Sequence, residues 1–230
     1  MDAVILLNKP AGMTSFDAVA KCRKIFHERK IGHTGTLDPE ASGLMIILLG
    51  KYTKLLPYCV KNHKAYQATL KLGEMTDTED IWGTVINTKT PSIHTEAEIA
   101  NAVQSLTGDI LQVPPMYSAL KKDGKKLYEY ARQGIEIERE ARPVHISSLK
   151  VEKIDGLNYC MDAVVSSGTY IRTLIADFGK QLNELAIMSS LVRTKIEHLY
   201  LKDACTFEDL ESGDSFLSPL QVIDPTYKIV

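Results

Sequence analysis

Cysteine is scarce and scattered in this 230-residue chain. Cys22, Cys59, Cys160 and Cys205 all lie more than thirty residues apart. There is therefore no C-x-x-C pair and no compact metal framework. Four buried thiols in a reducing compartment are expected rather than a disulfide scaffold. The histidines, His27, His33, His63, His94, His145 and His198, make no H-E-x-x-H pattern, so surface or packing roles are expected for them and no metal site. No Gly-Lys-Ser/Thr follows a glycine loop and G-x-G-x-x-G is absent, which excludes P-loop chemistry and disfavours dinucleotide binding. The longest fully apolar run, Leu44–Leu49, is six residues, far short of the roughly 20 that span a membrane. The N-terminal stretch from Met1 to Asn8 has no basic region and too short an apolar run for a signal peptide. A soluble, cytoplasmic protein is expected. A strong charge of either sign is also missing: 27 Lys+Arg face 29 Asp+Glu, a net −2. At face value this argues against a nucleic-acid partner, whose domain is often strongly basic.

What is present is ordinary for a globular protein. Hydrophobic residues make up 44% and charged residues 24%, which excludes disorder, collagen and a membrane bundle. The length allows one large domain or two small ones, with enough buried surface to hold together without disulfides or metals.

Periodicity places the elements. Ala3–Leu7 reads as a short buried strand closed by a turn at 8–12. A helix follows, capped by Thr14 or Ser15, with Ala18, Val19, Cys22, Ile25 and Phe26 on its apolar face. Residues 27–43 are rich in Gly, Thr and Pro and read as loop. Leu44–Leu49 is a core strand. Tyr66, Ala68, Leu70 and Leu72 alternate as in a half-buried strand. Residues 74–80 read as loop and Val85-Ile86 as strand. Glu96–Leu106 is an amphipathic helix capped by Thr95 and ended by Gly108. Pro114-Pro115 breaks the chain, and Leu127–Gln133 reads as helix. Val144–Ile154 and Tyr159–Val165 pair about Asp155-Gly156, a strong hairpin dipeptide. Ile171–Leu182 is helical, and Leu191–Ile196 and Leu199–Leu201 are short strands. Strands and helices do not strictly alternate, which favours an α+β fold with a mixed, largely antiparallel sheet flanked by helices.

Three segments can carry chemistry. In Gly32–Leu44, Asp38 sits on a glycine-flanked loop just before a core strand. Such a loop lets backbone approach a ligand while the strand fixes the carboxylate; Asp-Pro is equally common turn chemistry. In Ser166–Thr173, Arg172 lies at a strand-to-helix junction. There it can pair with a carboxylate or phosphate, or stand solvated on a helix face. In Met116–Arg132, Lys121, Lys122, Lys125 and Lys126 surround a glycine, with tyrosines on both sides. Lysines neutralise phosphates and aromatics stack on bases; a solvated turn has the same composition.

Together these segments resemble the TruB family of tRNA pseudouridine synthases, over nearly the whole chain. Asn8–Ser15 is similar to the family's first motif. Gly32–Leu44 resembles its catalytic motif, G-H-x-G-x-L-D-P-x-A-x-G. Ala65-Tyr66-Gln67 resembles its tyrosine strand, residues 116–143 its thumb insertion, and Gly168-Thr169-Tyr170-Ile171-Arg172 its G-T-Y-I-R motif. Two departures stand out. Leu191-Val192-Arg193-Thr194 replaces the usual L-R-R-T, with one basic contact missing at Val192. The C-terminal RNA-binding domain of the PUA type, common in the family, is not expected here, so that residues 1–230 form one catalytic domain of pseudouridine synthase fold.

The resemblance implies conversion of uridine-55 in the T loop of tRNA to pseudouridine, with no cofactor or metal, by a monomer that binds the T stem-loop. Asp38 is implied as nucleophile on a flipped-out uridine. Attack at C6, attack at C1′ and assistance to elimination are all open to one carboxylate. Burial under a base disfavours the carboxylate's charge and a cationic partner opposes that; Arg172 is implied as that partner. Tyr66 is implied to stack on the uracil and help remove the C5 proton. Tyr170 and Leu191 are implied to line the same pocket, His33 to occupy space near the vacated position, and the four lysines to close on the RNA.

Three other readings are weighed. Large-subunit rRNA pseudouridine synthases carry H-R-L-D-x-x-T-S-G-L at the aspartate, unlike Gly35–Leu44. A non-catalytic RNA-binding module would have lost Asp38, Tyr66 or Arg172. A magnesium hydrolase normally needs a second convergent carboxylate. Charge, resolved by segment, fits an RNA enzyme. Residues 1–64 hold ten basic and five acidic side chains and residues 111–153 nine and six, whereas 73–110 holds one and seven and 202–230 two and six. A local basic face steers RNA whatever the net charge.

Overall fold

A computed structural model describes residues 1–212 and 217–226. In chain order the first elements are β1 (Ala3–Lys9), α1 (Ser15–Phe26), β2 (Ile31–Thr34), β3 (Ser42–Leu49), β4 (His63–Leu72), β5 (Glu74–Thr76), β6 (Val85–Thr88), α2 (Glu96–Ser105) and β7 (Gly108–Gln112). Then come β8 (Lys121–Lys122), β9 (Lys125–Lys126), α3 (Leu127–Ala131), β10 (Arg142–Asp155), β11 (Asn158–Ser166), α4 (Ile171–Gln181), β12 (Ala186–Ile196), β13 (Leu199–Tyr200) and α5 (Phe207–Ser212). Among the described residues nine strands form one mixed, mostly antiparallel sheet flanked by helices, the α+β fold expected. Among the described residues no helix is long and apolar enough to cross a membrane. The chain divides into two compact units, 1–67 with 191–230, and 68–190.

In the first unit, β1 and β3 run antiparallel with Val4 opposite Leu48 and Leu6 opposite Ile46. Side chains alternate across a strand, so Val4, Leu6, Leu44, Ile46 and Leu48 enter one core, with Cys59, Val60, Ile196, Leu199 and Val222. The other faces of β1 and β3 are buried too, which explains why both read as unbroken apolar runs. The end of β12 pairs with the start of β3 in parallel, Arg193 opposite Gly43. Helix α1 begins at a capping box: the Thr14 side chain accepts from Asp17 N at 3.0 Å, and Thr14 N donates to Asp17 Oδ2 at 3.0 Å. Such a box satisfies two backbone donors that a helix start leaves orphaned.

In the second unit, β10 and β11 form a long hairpin about the Asp155-Gly156 turn, and β10 also pairs with β7. Helix α2 carries the same capping box as α1, from Thr95 and Glu98. Helix α4 buries Ile171, Leu174, Ile175 and Phe178, one helical stripe.

Several expectations are corrected. Residues 27–43 are not all loop: Ile31–Thr34 pairs with β3, His33 opposite Ile47. Residues 74–80 include β5, which pairs with β6. β1 runs on to Lys9, and β12 begins at Ala186, five residues ahead of Leu191. Leu201 belongs to a 3-10 turn, not a strand. Cys160 is half-buried, unlike the three other thiols.

Candidate active site

Asp38 stands half-buried on the loop from β2 to β3. Ala41 N donates to Asp38 O at 3.1 Å, a turn with Pro39 at its second position, where the fixed φ of proline suits it. The turn that Asp-Pro chemistry suggests is thus present in this segment.

Three anchors hold the loop on either side of Asp38. Ser15, buried at the start of α1, donates its hydroxyl to Leu37 O at 3.0 Å and accepts from Leu37 N at 2.9 Å. Lys9, wholly buried at the end of β1, donates its ammonium to Pro10 O at 2.8 Å, Met13 O at 2.7 Å and Pro39 O at 3.2 Å. Gly12 N adds a bond to Pro39 O at 3.0 Å. Arg193, only 1% exposed, donates Nε to Leu44 O at 2.7 Å, Nη2 to Gly35 O at 3.1 Å and Nη1 to Thr36 O at 3.4 Å. Bonds from a charged donor are worth about 1.5–3 kcal/mol each, so the backbone flanking Asp38 is held where a loop would ordinarily move. Gly43 lets β12 come close: at φ +110°, a Cβ there would lie 2.7 Å from Arg193 N and would collide with Arg193 O.

The surroundings are cationic. Burial pulls the Lys9 ammonium down to about 8, with Glu40 and Asp38 pulling it back up and Arg193 pushing it further down. Burial, then Arg193, brings Lys64 to about 8 as well. Burial and the Arg193 guanidinium hold the His33 imidazole below its usual range, so it is neutral at neutral pH. Among the described residues no three His, Cys, Asp or Glu side chains converge as a metal-ligand set.

The other expected residues are placed as follows. Tyr66 is half-buried on β4, and Leu191 is buried on β12 two residues before Arg193. In the second unit Tyr170 caps α4, and its backbone is clamped by buried Gln112. Gln112 Oε1 accepts from Tyr170 N at 2.8 Å and Gln112 Nε2 donates to Tyr170 O at 3.1 Å. Arg172 is 4% exposed, which overturns the solvated-face reading. Its Nη1 donates to Thr78 O at 2.8 Å, its Nη2 to Tyr117 O at 2.9 Å, and its Nε lies 3.9 Å from Asp80 Oδ2. Lys121 and Lys122 pair with Lys126 and Lys125 in a two-stranded ribbon. Asp123 and Gly124 both have positive φ at its tip. That is a tight hairpin turn of the favoured hand; Lys121, Lys122 and Lys125 are exposed, while Lys126 is half-buried and donates its ammonium to Tyr128 Oη at 3.4 Å.

Sequence reasoning missed Lys9, Ser15, Arg193, Gln112 and Asp80. A signal existed for Lys9. The period of two that buries Ile5 and Leu7 carries Lys9 on the same face.

The family described as TruB family pseudouridylate synthase (N terminal domain) matches residues 23–171. This chain belongs to that family. The match covers the Asp38 loop, Tyr66, the lysine ribbon and Tyr170, and stops one residue before Arg172. The chain is 49% identical over 211 residues to a tRNA pseudouridine synthase B of Clostridium perfringens (strain SM101 / Type A), covering 91% of this chain and 72% of that one. It is 44% identical over 220 residues to that of Endomicrobium trichonymphae, covering 96% of both. Among solved structures it is similar to a chain of a Cbf5-Nop10-Gar1 complex, with a TM-score of 0.72, 30% identity and 91% of this chain covered. A second, from an H/ACA RNP bound to a substrate RNA containing 2'-deoxyuridine, gives 0.66 and 27% over 91% of the chain. The chain spans about half the length of these two solved chains, 54% and 52%.

Proposed function

We propose that this protein isomerises uridine-55 in the T loop of tRNA to pseudouridine, with Asp38 as nucleophile on a flipped-out uridine. The observation that carries this reading is an aspartate on a three-way anchored loop, inside the motif G-H-x-G-x-L-D-P-x-A-x-G of a family of pseudouridylate synthases. The reaction breaks the N1–C1′ bond, forms a C5–C1′ bond within the same nucleotide, and moves one proton from C5 to N1. No group is gained or lost, so positioning and charge are what the protein has to supply.

Flipping a base out of a folded loop costs a few kcal/mol. Stacking on Tyr66, worth about 1–3 kcal/mol, offsets much of it, and the same ring stands ready for the C5 proton. Tyr170 and Leu191 line the pocket, and His33, neutral and half-buried, fills the space the base leaves. Arg172 supplies countercharge to the Asp38 carboxylate. Lys121, Lys122, Lys125 and Lys126 close on the RNA backbone from the thumb, residues 116–143. The protein works as a cytoplasmic monomer without cofactor or metal.

Release of tritium from C5-labelled uridine in a T stem-loop, with chelator present, tests the reading. Wild type is expected to release it, and Asp38→Asn, which nearly keeps the shape and removes the charge, is expected not to. Release at a normal rate by Asp38→Asn overturns the assignment. Tyr66→Phe is expected to keep RNA affinity and lose turnover; equal loss of both would mark a folding role instead.

A further inference from the structure

Two consecutive acidic residues on the turn between β5 and β6 face two consecutive residues at the start of α4. Asp80 stands against Arg172, as described above. Its neighbour Glu79 accepts a hydrogen bond from Thr173 Oγ1 at 2.6 Å through Oε2. Thr173 is 4% exposed, so its hydroxyl has little access to water in place of that carboxylate. Glu79 itself is held in the left-handed region at φ 64°, a conformation uncommon outside glycine that marks a position fixed by its surroundings. Those surroundings are visible. Glu79 N donates to Thr76 O at 3.3 Å, Met188 N on β12 donates to Glu79 O at 3.1 Å, and Ile81 N donates to Met188 O at 2.9 Å. Both backbone groups of the residue are therefore tied, and its carboxylate is delivered to one hydroxyl in the first turn of α4. Burial pushes the Glu79 carboxyl above its usual range, while Thr173 and Arg172 pull it back. Asp177 and Lys180 are the other charged groups on α4 that act on it.

We propose that Glu79 is a positioning residue: through Thr173 it fixes the rotation of the first turn of α4, and with it the aim of the Arg172 guanidinium. This rests on the function proposed above, in which Arg172 serves the reaction. Arg172 holds Thr78 O and Tyr117 O at 2.8 and 2.9 Å, and a turn that rolls about its axis carries the guanidinium off both. Misplacement of a reacting or charge-bearing group by about an ångström can reduce rate by as much as about 10²-fold. Tyr170, which caps the same turn, is held separately through its backbone by Gln112, and the rest of the substrate affinity is spread over the RNA backbone, so affinity depends far less on this contact.

The test compares Glu79→Ala, Glu79→Gln, Thr173→Val, Thr173→Ser and the double variant Glu79→Ala/Thr173→Val on the T stem-loop. The Nε–Hε NMR resonance of Arg172 is read in each. The two disruptive single variants are expected to lower kcat by about tenfold to a hundredfold with KM within about twofold, and the double to lose no more than either single. Glu79→Gln and Thr173→Ser keep the acceptor and the hydroxyl and are expected to restore most of the rate. The Arg172 resonance is expected to move in the disruptive variants and return in the conservative ones. Multiplying losses, or losses that follow the fraction folded, overturn the proposal. So does an Arg172 resonance unmoved in Glu79→Ala, whatever the turnover. A resonance that responds as expected in a protein that makes no pseudouridine instead contradicts the function proposed above and leaves this contact standing.

Discussion

Lys9 shows how one buried cation can serve a loop thirty residues away. Its ammonium has three donors and meets three carbonyls; a neutral amine has two and leaves one of them bare. Lys9 and Lys64 both titrate at about 8, below the 10.5 of an unfolded chain. Between those values the unfolded state holds more protons, so these two groups add stability as pH rises. Activity is expected to run the other way: kcat falls as pH climbs from about 8 to about 9, while the melting temperature does not fall with it. A kcat that declines only where the protein also melts earlier would contradict the role given to Lys9. Ser15 makes a second residue-scale prediction. Ser15→Ala leaves Leu37 N and O without their partner in the core, at about 1–3 kcal/mol. Thermal unfolding is expected to show that loss, with kcat reduced and RNA affinity retained.

At the scale of elements, the Asp38 loop is a bridge between β2 and β3 whose far anchor, Arg193, arrives on β12. Gly43 makes that arrival possible. Gly43→Ala puts a methyl into the Arg193 backbone at a left-handed φ, and is expected to destabilise by more than about 3 kcal/mol or prevent folding. A near-normal denaturation midpoint would show that β12 can retreat. Much of this scaffold was legible beforehand. The two capping boxes, the Asp155-Gly156 hairpin and the period of β4 and α4 each follow from local chemistry that the chain spells out. β2 did not show because it is four residues long and includes a glycine and a half-buried histidine; its partner β3 makes it a strand. The burial of Arg172 did not show either, since its acceptors, Thr78 O and Tyr117 O, are backbone atoms 94 and 55 positions away. Asp38 was found from its motif, but its anchors, Ser15, Lys9 and Arg193, act mostly on backbone carbonyls, and carbonyls leave no mark on a sequence. The lysine ribbon β8–β9 is a tight hairpin. Replacing its four lysines by glutamine is expected to weaken RNA binding and flatten log K against log salt by about 0.7–0.9 for each phosphate no longer neutralised. An unchanged slope would return the ribbon to a solvated turn.

At the scale of the molecule, a net −2 conceals a chain whose basic excess lies in residues 1–64 and 111–153, the segments that hold the Asp38 loop and the ribbon. Net charge governs solubility, while the local field governs which polyanion approaches and where. The relatives named tRNA pseudouridine synthase B include one of which this chain covers 96% and one of which it covers 72%. The central claim is the chemistry at one nucleotide, and site-resolved detection of pseudouridine in a tRNA transcript tests it most directly. Wild-type protein is expected to convert uridine-55 and Asp38→Asn to leave it unchanged. An unmodified position 55 with wild type, or equal conversion by Asp38→Asn, would contradict the account.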